Sequence, residues 1–458
     1  MGIGRKLLRF AMKKRRIQVS ATRVIALVFL AIILVGTGLL MLPASSQSGE
    51  GCSFLDALFT ATSATCVTGL VPFDTGAAWT GFGQAVILCM IELGGLGFMS
   101  MASLFVFLLG RKVSLRQRMV MAQALSLNDM EGVVRLQKLV LGGSLSIQLV
   151  GAIILALRFI FGYGYTVGKA IWYGVFHSVS AFCNAGFDVF GTGNSIMELS
   201  GDPLILITLM VLITVAGLGF FVWEELTRVR RFRDFSVYTK LVLITTGVLI
   251  LGGAVLTMIL EWNNPATLGA MSNGDKVVNA FFQSVTLRTA GFAAVDQAAL
   301  TPAGKGISIF LMLIGGSSGS TAGGLKTVTF IVLLLFIWTR ARGKSTVTAF
   351  RRTIPGEKVM DAMTIAFIMI LLAMAGAVVI CATSPVGFAD ALYESVSALA
   401  TVGLTAGVTG LLHPVAQVMI VIFMYFGRVG VLTISLGFLM GDKAEDRIRY
   451  ANTNLLIG

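Results

Sequence analysis

Eight stretches of this chain are apolar over lengths that can cross a hydrocarbon core of ~30 Å, at residues 24–43, 80–109, 139–160, 204–224, 239–261, 305–339, 360–383 and 415–440. Nothing else in the sequence constrains the fold as much. Lipid offers no hydrogen bonds, so each stretch has to satisfy its own backbone, which a helix does. Composition agrees: of 458 residues 56% are hydrophobic and 12% charged, more apolar surface than a soluble domain hides. The first stretch is followed by many like it and reads as a retained membrane span, not a cleaved leader.

Lys and Arg number 35 against 22 Asp and Glu, an excess that could suggest nucleic acid. Its placement argues otherwise. Twenty-eight of the 35 fall in residues 5–23, 111–138, 228–240, 340–358 and 443–449. By the positive-inside rule those five segments are cytoplasmic, and eight spans put both termini there too. The intervening segments, 44–80, 161–204, 262–305 and 384–415, have Lys169, Lys276, Arg288 and Lys305 as their basic residues and face outward or re-enter the membrane. Cys52, Cys66, Cys89, Cys183 and Cys381 form no CxxC pair, so no disulfide or metal framework is expected. His177 and His413 lie in different outer segments and read as hydrogen-bonded residues, not ligands.

Each outer segment contains a second apolar piece, too short to cross and too hydrophobic for an ordinary loop. Aligned on a glycine, these read FLDALFTATSATCVTGL (54–70), IWYGVFHSVSAFCNAGF (171–187), VNAFFQSVTLRTAGF (278–292) and FADALYESVSALATVGL (388–404). An aromatic residue is followed four positions later by Ser or Thr, then by Gly with Leu or Phe after it: Phe59, Ser63 and Gly69; Phe176, Ser180 and Gly186; Phe282, Thr286 and Gly291; Tyr393, Ser397 and Gly403. The third copy is one residue shorter between aromatic and glycine.

Four units of span, short helix, glycine strand and span predict an all-α membrane protein: four M1-P-M2 pore-loop repeats with pseudo-fourfold symmetry around a single central pore. The expected division is a basic tail (1–23), repeat 1 (24–110), a linker (111–138), repeat 2 (139–227), a linker (228–240), repeat 3 (241–339), a linker (340–358), repeat 4 (359–440) and a C-terminal tail (441–458). Non-helical backbone at membrane depth is tolerated where it is buried or lines water, so Thr65–Gly69, Cys183–Gly186, Arg288–Gly291 and Thr401–Gly403 are expected to face a cavity. Glycine can turn neighbouring carbonyl oxygens inward, and rings of such dipoles replace a cation's water shell. Each short helix would aim its negative C-terminal end at the axis, with Asp56, Asp275 and Asp390 near the opposite ends. Asp74, Asp188 and Asp296 follow the glycines and either concentrate cations at the outer mouth or are solvated surface acids.

The sixth stretch contains GGSSGSTAGGLKT at 315–327, too rich in glycine and serine for a straight lipid-facing helix. It predicts a helix broken near Gly315, a flexible loop to Gly324 and a second helix from about Leu325. Arg428 in the eighth span is an intramembrane cation and a functional candidate. Lys326 stays near the pore or pairs with Glu92, and Arg288 braces its strand or pairs with an acid. Gly94 and Gly217 read as sites of close helix packing. A phosphate-binding loop at 319–327 is rejected because Leu325 separates Lys326 from the second glycine.

With these motifs in place, nearly the whole chain resembles the KtrB, TrkH and HKT superfamily of potassium transporters, and within it the KtrB-like members, since the first pore unit follows a tail of about twenty residues. The resemblance implies a K+ filter built on Gly69, Gly186, Gly291 and Gly403. Carbonyls would come from Thr65, Cys66, Val67 and Thr68; Cys183, Asn184 and Ala185; Arg288, Thr289 and Ala290; and Ala400, Thr401 and Val402. It implies a gate formed by Gly315, Gly316, Ser317, Ser318, Gly319, Ser320, Thr321, Ala322, Gly323 and Gly324 with Lys326, and Arg428 as a positive barrier. It further implies a bacterial plasma-membrane protein and a homodimer closed by the tail Asn454–Gly458. The partner would be a cytoplasmic octameric KtrA-like ring that binds ATP, ADP or NAD, with no organic cofactor in this chain and no enzymatic activity. A coupled transporter of another solute and a non-conducting scaffold are the rival readings.

Overall fold

The computed structural model describes residues 21–97 and 133–430. Most of the basic tail, the far part of the second span with most of the first linker, and everything after Gly430, including Asn454–Gly458, lie outside the described residues. In chain order the helices are α1 (Ala21–Leu40), α2 (Phe54–Cys66), the one-turn α3 (Thr75–Ala78), α4 (Gly81–Leu96), α5 (Val133–Tyr163), α6 (Val167–Cys183), α7 (Pro203–Gly217), α8 (Phe220–Arg228), α9 (Val237–Glu261), α10 (Asn273–Thr286), α11 (Pro302–Leu313), α12 (Thr327–Ala341), α13 (Gly356–Thr383), α14 (Phe388–Leu399) and α15 (Pro414–Val429). A small hairpin pairs β1 (Thr348–Ala349) with β2 (Arg352–Thr353).

Helices α1, α5, α9 and α13 are each long and apolar enough to cross a membrane alone. Their outer faces leave Val35, Leu149, Val248, Ile259 and Phe367 exposed, which suits a lipid solvent. Each is followed by a short helix, α2, α6, α10 or α14, and then by an inner helix that stops early. Pro203, Pro302 and Pro414 stand in the first turns of α7, α11 and α15, behind the caps Asp202, Thr301 and His413. Ser53 and Ser272 cap α2 and α10, and Asp56, Asp275 and Asp390 lie in the first turns of their helices, where a carboxylate suits the dipole.

Packing closes these elements on themselves. Each long helix packs on the short helix that follows it: α1 on α2, α5 on α6, α9 on α10, α13 on α14. Each inner helix packs on the short helix of the next unit: α4 on α6, α7 on α10, α11 on α14, and α15 back onto α2. The order therefore returns to its start, and the short helices lie inside the circuit. The aromatic residues of the repeat, Phe59, Phe176, Phe282 and Tyr393, are all buried there.

Two expectations need correction. The stretch 204–224 is not one straight helix: α7 and α8 meet at 91° across Leu218 and Gly219. Within the described parts of the stretches 80–109 and 415–440, α4 and α15 end at Gly97 and Gly430, with φ of 81° and 95°. That backbone region suits glycine and ends a right-handed helix whatever the hydropathy around it.

Candidate functional site

Each short helix ends in the same three-residue turn. A left-handed residue comes first, Val67 (φ 57°), Asn184 (60°), Thr289 (64°) or Thr401 (52°), and two positions later the glycine, Gly69 (99°), Gly186 (70°), Gly291 (85°) or Gly403 (94°). The amide between them bonds back to the helix: Thr68 to the Ser63 carbonyl at 2.8 Å, Ala185 to Ser180 at 2.7 Å, Ala290 to Thr286 at 3.0 Å and Val402 to Ser397 at 2.7 Å. This is a helix C-cap, and its bond offsets the cost of a β-branched residue in the left-handed region. The third copy's missing residue falls between Thr286 and Thr289, so the turn itself is intact.

The four glycines converge. A Cβ on Gly69 would stand 2.5 Å from the Ala185 carbonyl and 3.3 Å from the Cα atoms of Gly186 and Gly403. On Gly186 it would stand 2.8 Å from the Ala290 carbonyl, on Gly291 2.6 Å from that of Val402, and on Gly403 it would overlap that of Thr68. The carbonyl preceding each glycine thus sits against the glycine of a neighbouring strand, and four dipoles meet where a side chain has no room. Thr65 Oγ1, Asn184 Nδ2, Thr289 Oγ1 and Thr401 Oγ1 are buried here without a partner among the described residues. Cys66 and Cys183 are buried free thiols at the ends of α2 and α6, and Ala400 ends α14.

The recurrent hydroxyls hold the strands in two ways. Ser63 and Ser397 accept from the amides of Gly69 and Gly403 at 3.0 and 3.1 Å. Ser180 and Thr286 donate to the carbonyls of Phe187 and Phe292, each at 2.7 Å.

Between α11 and α12, Ile314–Lys326 forms a buried loop directly against the strands. Thr321 Oγ1 donates to the Phe182 carbonyl at 3.2 Å, a Cβ on Gly323 would overlap Thr401 Oγ1, and one on Gly324 would touch Ala400. The loop is not the free segment its glycines suggest. Gly315 and Leu325 exchange backbone bonds with Leu325 and Leu313 at 2.9 and 3.0 Å, Ser317 Oγ pairs with Thr327 Oγ1, and Ser320 Oγ donates to the Ser317 carbonyl. Gly316 accepts from the Thr327 amide, and the Ala322 amide donates to Ser320 Oγ. Buried backbone groups away from water have to be satisfied, and the short side chains of the loop let it do so.

Three cations fasten the loop. Arg428 donates to the carbonyls of Thr321, Gly94 (2.5 Å) and Gly95 (2.9 Å), joining the end of α4, the loop and α15. Arg288 Nη2 reaches the Gly315 carbonyl at 3.3 Å, so it braces strand against loop. Lys326 donates to the Ala322 carbonyl at 2.7 Å. Glu92, the alternative partner, instead accepts from Gln148 at 3.0 Å and Cys183 at 3.2 Å. A Cβ on Gly94 would strike the Thr65 carbonyl, in line with close packing. Gly217 has nothing within 4 Å of a Cβ, and what it supplies is a carbonyl, which accepts from the Ser317 amide at 3.0 Å.

On the outer side, Asp74 caps α3 and accepts from the Gly193 amide at 2.6 Å, and Asp296 accepts from the Ala298 amide at 2.8 Å. The Asp188 carboxyl is pushed up to about 7, first by burial and then by the charge of Asp74. His177 bonds the Tyr173 carbonyl at 2.7 Å and stacks on Phe190, while His413 caps α15.

The family model for TrkH, cation transport protein, matches residues 3–446. The chain belongs to this family. Among its relatives, the potassium/sodium uptake protein NtpJ of Enterococcus hirae is 39% identical, covering 98% of this chain and 99% of that one. The Ktr system potassium uptake protein B of Bacillus subtilis is 38% identical, covering 96% and 98%. The crystal structure of the potassium transporter TrkH from Vibrio parahaemolyticus has the same fold, with a TM-score of 0.70 and 17% identity over 93% of this chain and 86% of that one.

The repeat and its glycines were legible in the sequence. The left-handed residues Val67, Asn184, Thr289 and Thr401 were not, although their constant offset of two from each glycine is a usable signal. The break in the fourth span also had a signal, since Gly-Leu-Gly-Phe occurs at both 95–98 and 217–220.

Proposed function

We propose that this chain is the membrane subunit of a potassium uptake system. It conducts K+ through a pseudo-fourfold pore, with the glycine turns at 65–69, 183–186, 288–291 and 400–403 as the selectivity filter and the 315–324 loop with Lys326 and Arg428 as its gate. The observation that carries this reading is the meeting of the carbonyls of Thr68, Ala185, Ala290 and Val402 at the four glycines, where main-chain oxygen can replace hydration. Relatives of nearly the same length, named for potassium uptake, support the choice of ion.

The loop suits a gate because it lies against the strands and is fastened by bonds that can break singly, while Arg428 sets a positive charge beneath them. Main-chain oxygens in four turns favour conduction over a rocking carrier, and rubidium uptake that required a co-substrate would favour the carrier. The cytoplasmic placement of the termini and of Arg228–Arg233 and Arg340–Arg352 follows from the charge pattern. A homodimer on a nucleotide-binding ring follows from the resemblance to Ktr-type systems. The test is potassium-dependent growth of a bacterial host stripped of its own uptake systems. The wild-type chain, with its regulatory partner, is expected to rescue growth, and Gly403→Ser is expected to fail. Equal rescue by both would reject the filter.

A further inference from the structure

The far rim of the loop is held by the second unit and the first turn of α9, neither of which the proposed gate includes. Ser317 donates to the Gly217 carbonyl at 3.0 Å, the Phe220 amide donates to the Gly319 carbonyl at 2.9 Å, and the Tyr238 hydroxyl donates to the Ser318 carbonyl at 2.9 Å. The first two bonds exist because α7 and α8 are broken. In a continuous helix the Gly217 carbonyl and the Phe220 amide would be spent on their own turns, and the 91° bend releases both toward the loop. Gly219 makes the approach possible: its φ is 94°, and a Cβ there would stand 2.8 Å from the Ser318 carbonyl.

The holder is itself one piece. Glu225 on α8 accepts from the Ser236 amide at 2.5 Å, from Ser236 Oγ at 2.7 Å and from Thr239 Oγ1, which ties α8 to the first turn of α9 beside Tyr238. Residues 317–319 are therefore gripped by this elbow, while Thr321 and Gly323 press on the filter strands. The loop is clamped between two bodies.

We infer that the elbow formed by α7, α8 and the first turn of α9 is a cradle that positions the gating loop. Tyr238 is its positioning residue. This rests on the loop being the gate. Loosening the cradle lets the loop leave the filter more often, a population shift driven by the lost bond. One hydrogen bond is commonly worth a factor of about 3 to 10 in such an equilibrium.

The experiment is rubidium uptake by the full-length protein in proteoliposomes, with maleimide labelling of Ser320→Cys read as the increment over the same protein with Ser320, because Cys89 is exposed and labels by itself. Tyr238→Phe is expected to raise basal uptake and labelling by about threefold or more, with the rubidium-to-sodium ratio unchanged because the filter is untouched. Gly219→Ala should do the same more strongly. If it fails to fold, Tyr238→Phe alone decides, since it removes only a hydroxyl. Deleting residues 317–322 serves as the control for the gate. Raised uptake in that deletion with wild-type uptake and labelling in Tyr238→Phe overturns the cradle and leaves the gate standing. Unchanged uptake in the deletion overturns the gate and the cradle with it. A changed ion ratio in Tyr238→Phe would place the residue in the filter's support and also overturn the cradle.

Discussion

The glycine turns after the short helices and the far ends of the inner helices differ, and on the proposed reading that difference separates selecting an ion from releasing it. Toward the short helices the four units are near copies: a residue in the left-handed region, a glycine two positions on, and between them an amide returning to the helix. Away from them one unit departs from the other three. A positive-φ glycine ends α4 (Gly97), separates α7 from α8 (Gly219) and ends α15 (Gly430), whereas a thirteen-residue loop from Ile314 to Lys326 separates α11 from α12. A cation surrounded by oxygens needs equivalent ligands, so copies must stay alike there. A moving part needs one unit unlike the rest, because four equal barriers would have to move together.

That contrast can be broken or sharpened by substitution. The largest effect is expected at a glycine of the repeated end. Gly403→Ser forces a side chain into the Thr68 carbonyl at a positive φ, strain on the order of 1–3 kcal/mol before any clash is counted, and is expected to abolish selective uptake in a rubidium flux assay. Next is the dissimilar end: Arg428→Ala removes three bonds to carbonyls and is expected to raise cation flux about tenfold, with the thermal midpoint of the purified protein lowered. Unaltered flux would sever the loop from gating.

A smaller effect is expected at the outer mouth. The Asp188 carboxyl, raised to about 7 by burial and by Asp74, holds its proton in the folded protein at pH values where a free carboxylate has lost it. Folding stability therefore declines as pH rises through about 7, while the negative charge that draws cations appears over the same interval. Uptake at limiting rubidium should rise a few-fold between about pH 6 and 8, and Asp188→Asn should flatten both profiles. Thr286→Val strips the bond to the Phe292 carbonyl and is expected to cost about 1 kcal/mol, seen as a lower thermal midpoint with a modest loss of ion discrimination. Ser63→Ala should match it although its bond runs the other way; a large difference would mean that the four strands are not interchangeable. The smallest effect is expected for Gly217→Ala, where a Cβ meets open space and the carbonyl is kept.

Much was legible without coordinates because local rules governed it. Apolar length marked the four long helices α1, α5, α9 and α13 but not the breaks in the inner ones, lysine and arginine placement suggested an orientation, and a fourfold glycine pattern marked the strands before any neighbour was known. Glycine and serine in 315–327 announced a broken helix, since neither residue sustains one in lipid. Only the tertiary structure decided what these pieces touch. Arg428 lies 334 positions from Gly94 and 107 from Thr321, and no local preference of an arginine encodes either carbonyl. Val67 and Thr401 adopt a backbone region that their own branched side chains resist, because the helix behind them and the strands beside them outweigh the preference. The loop followed the same logic: its composition called for a break, while its place was set by backbone groups of the second unit and by the Arg428 side chain of the fourth, buried polar groups that had to find partners.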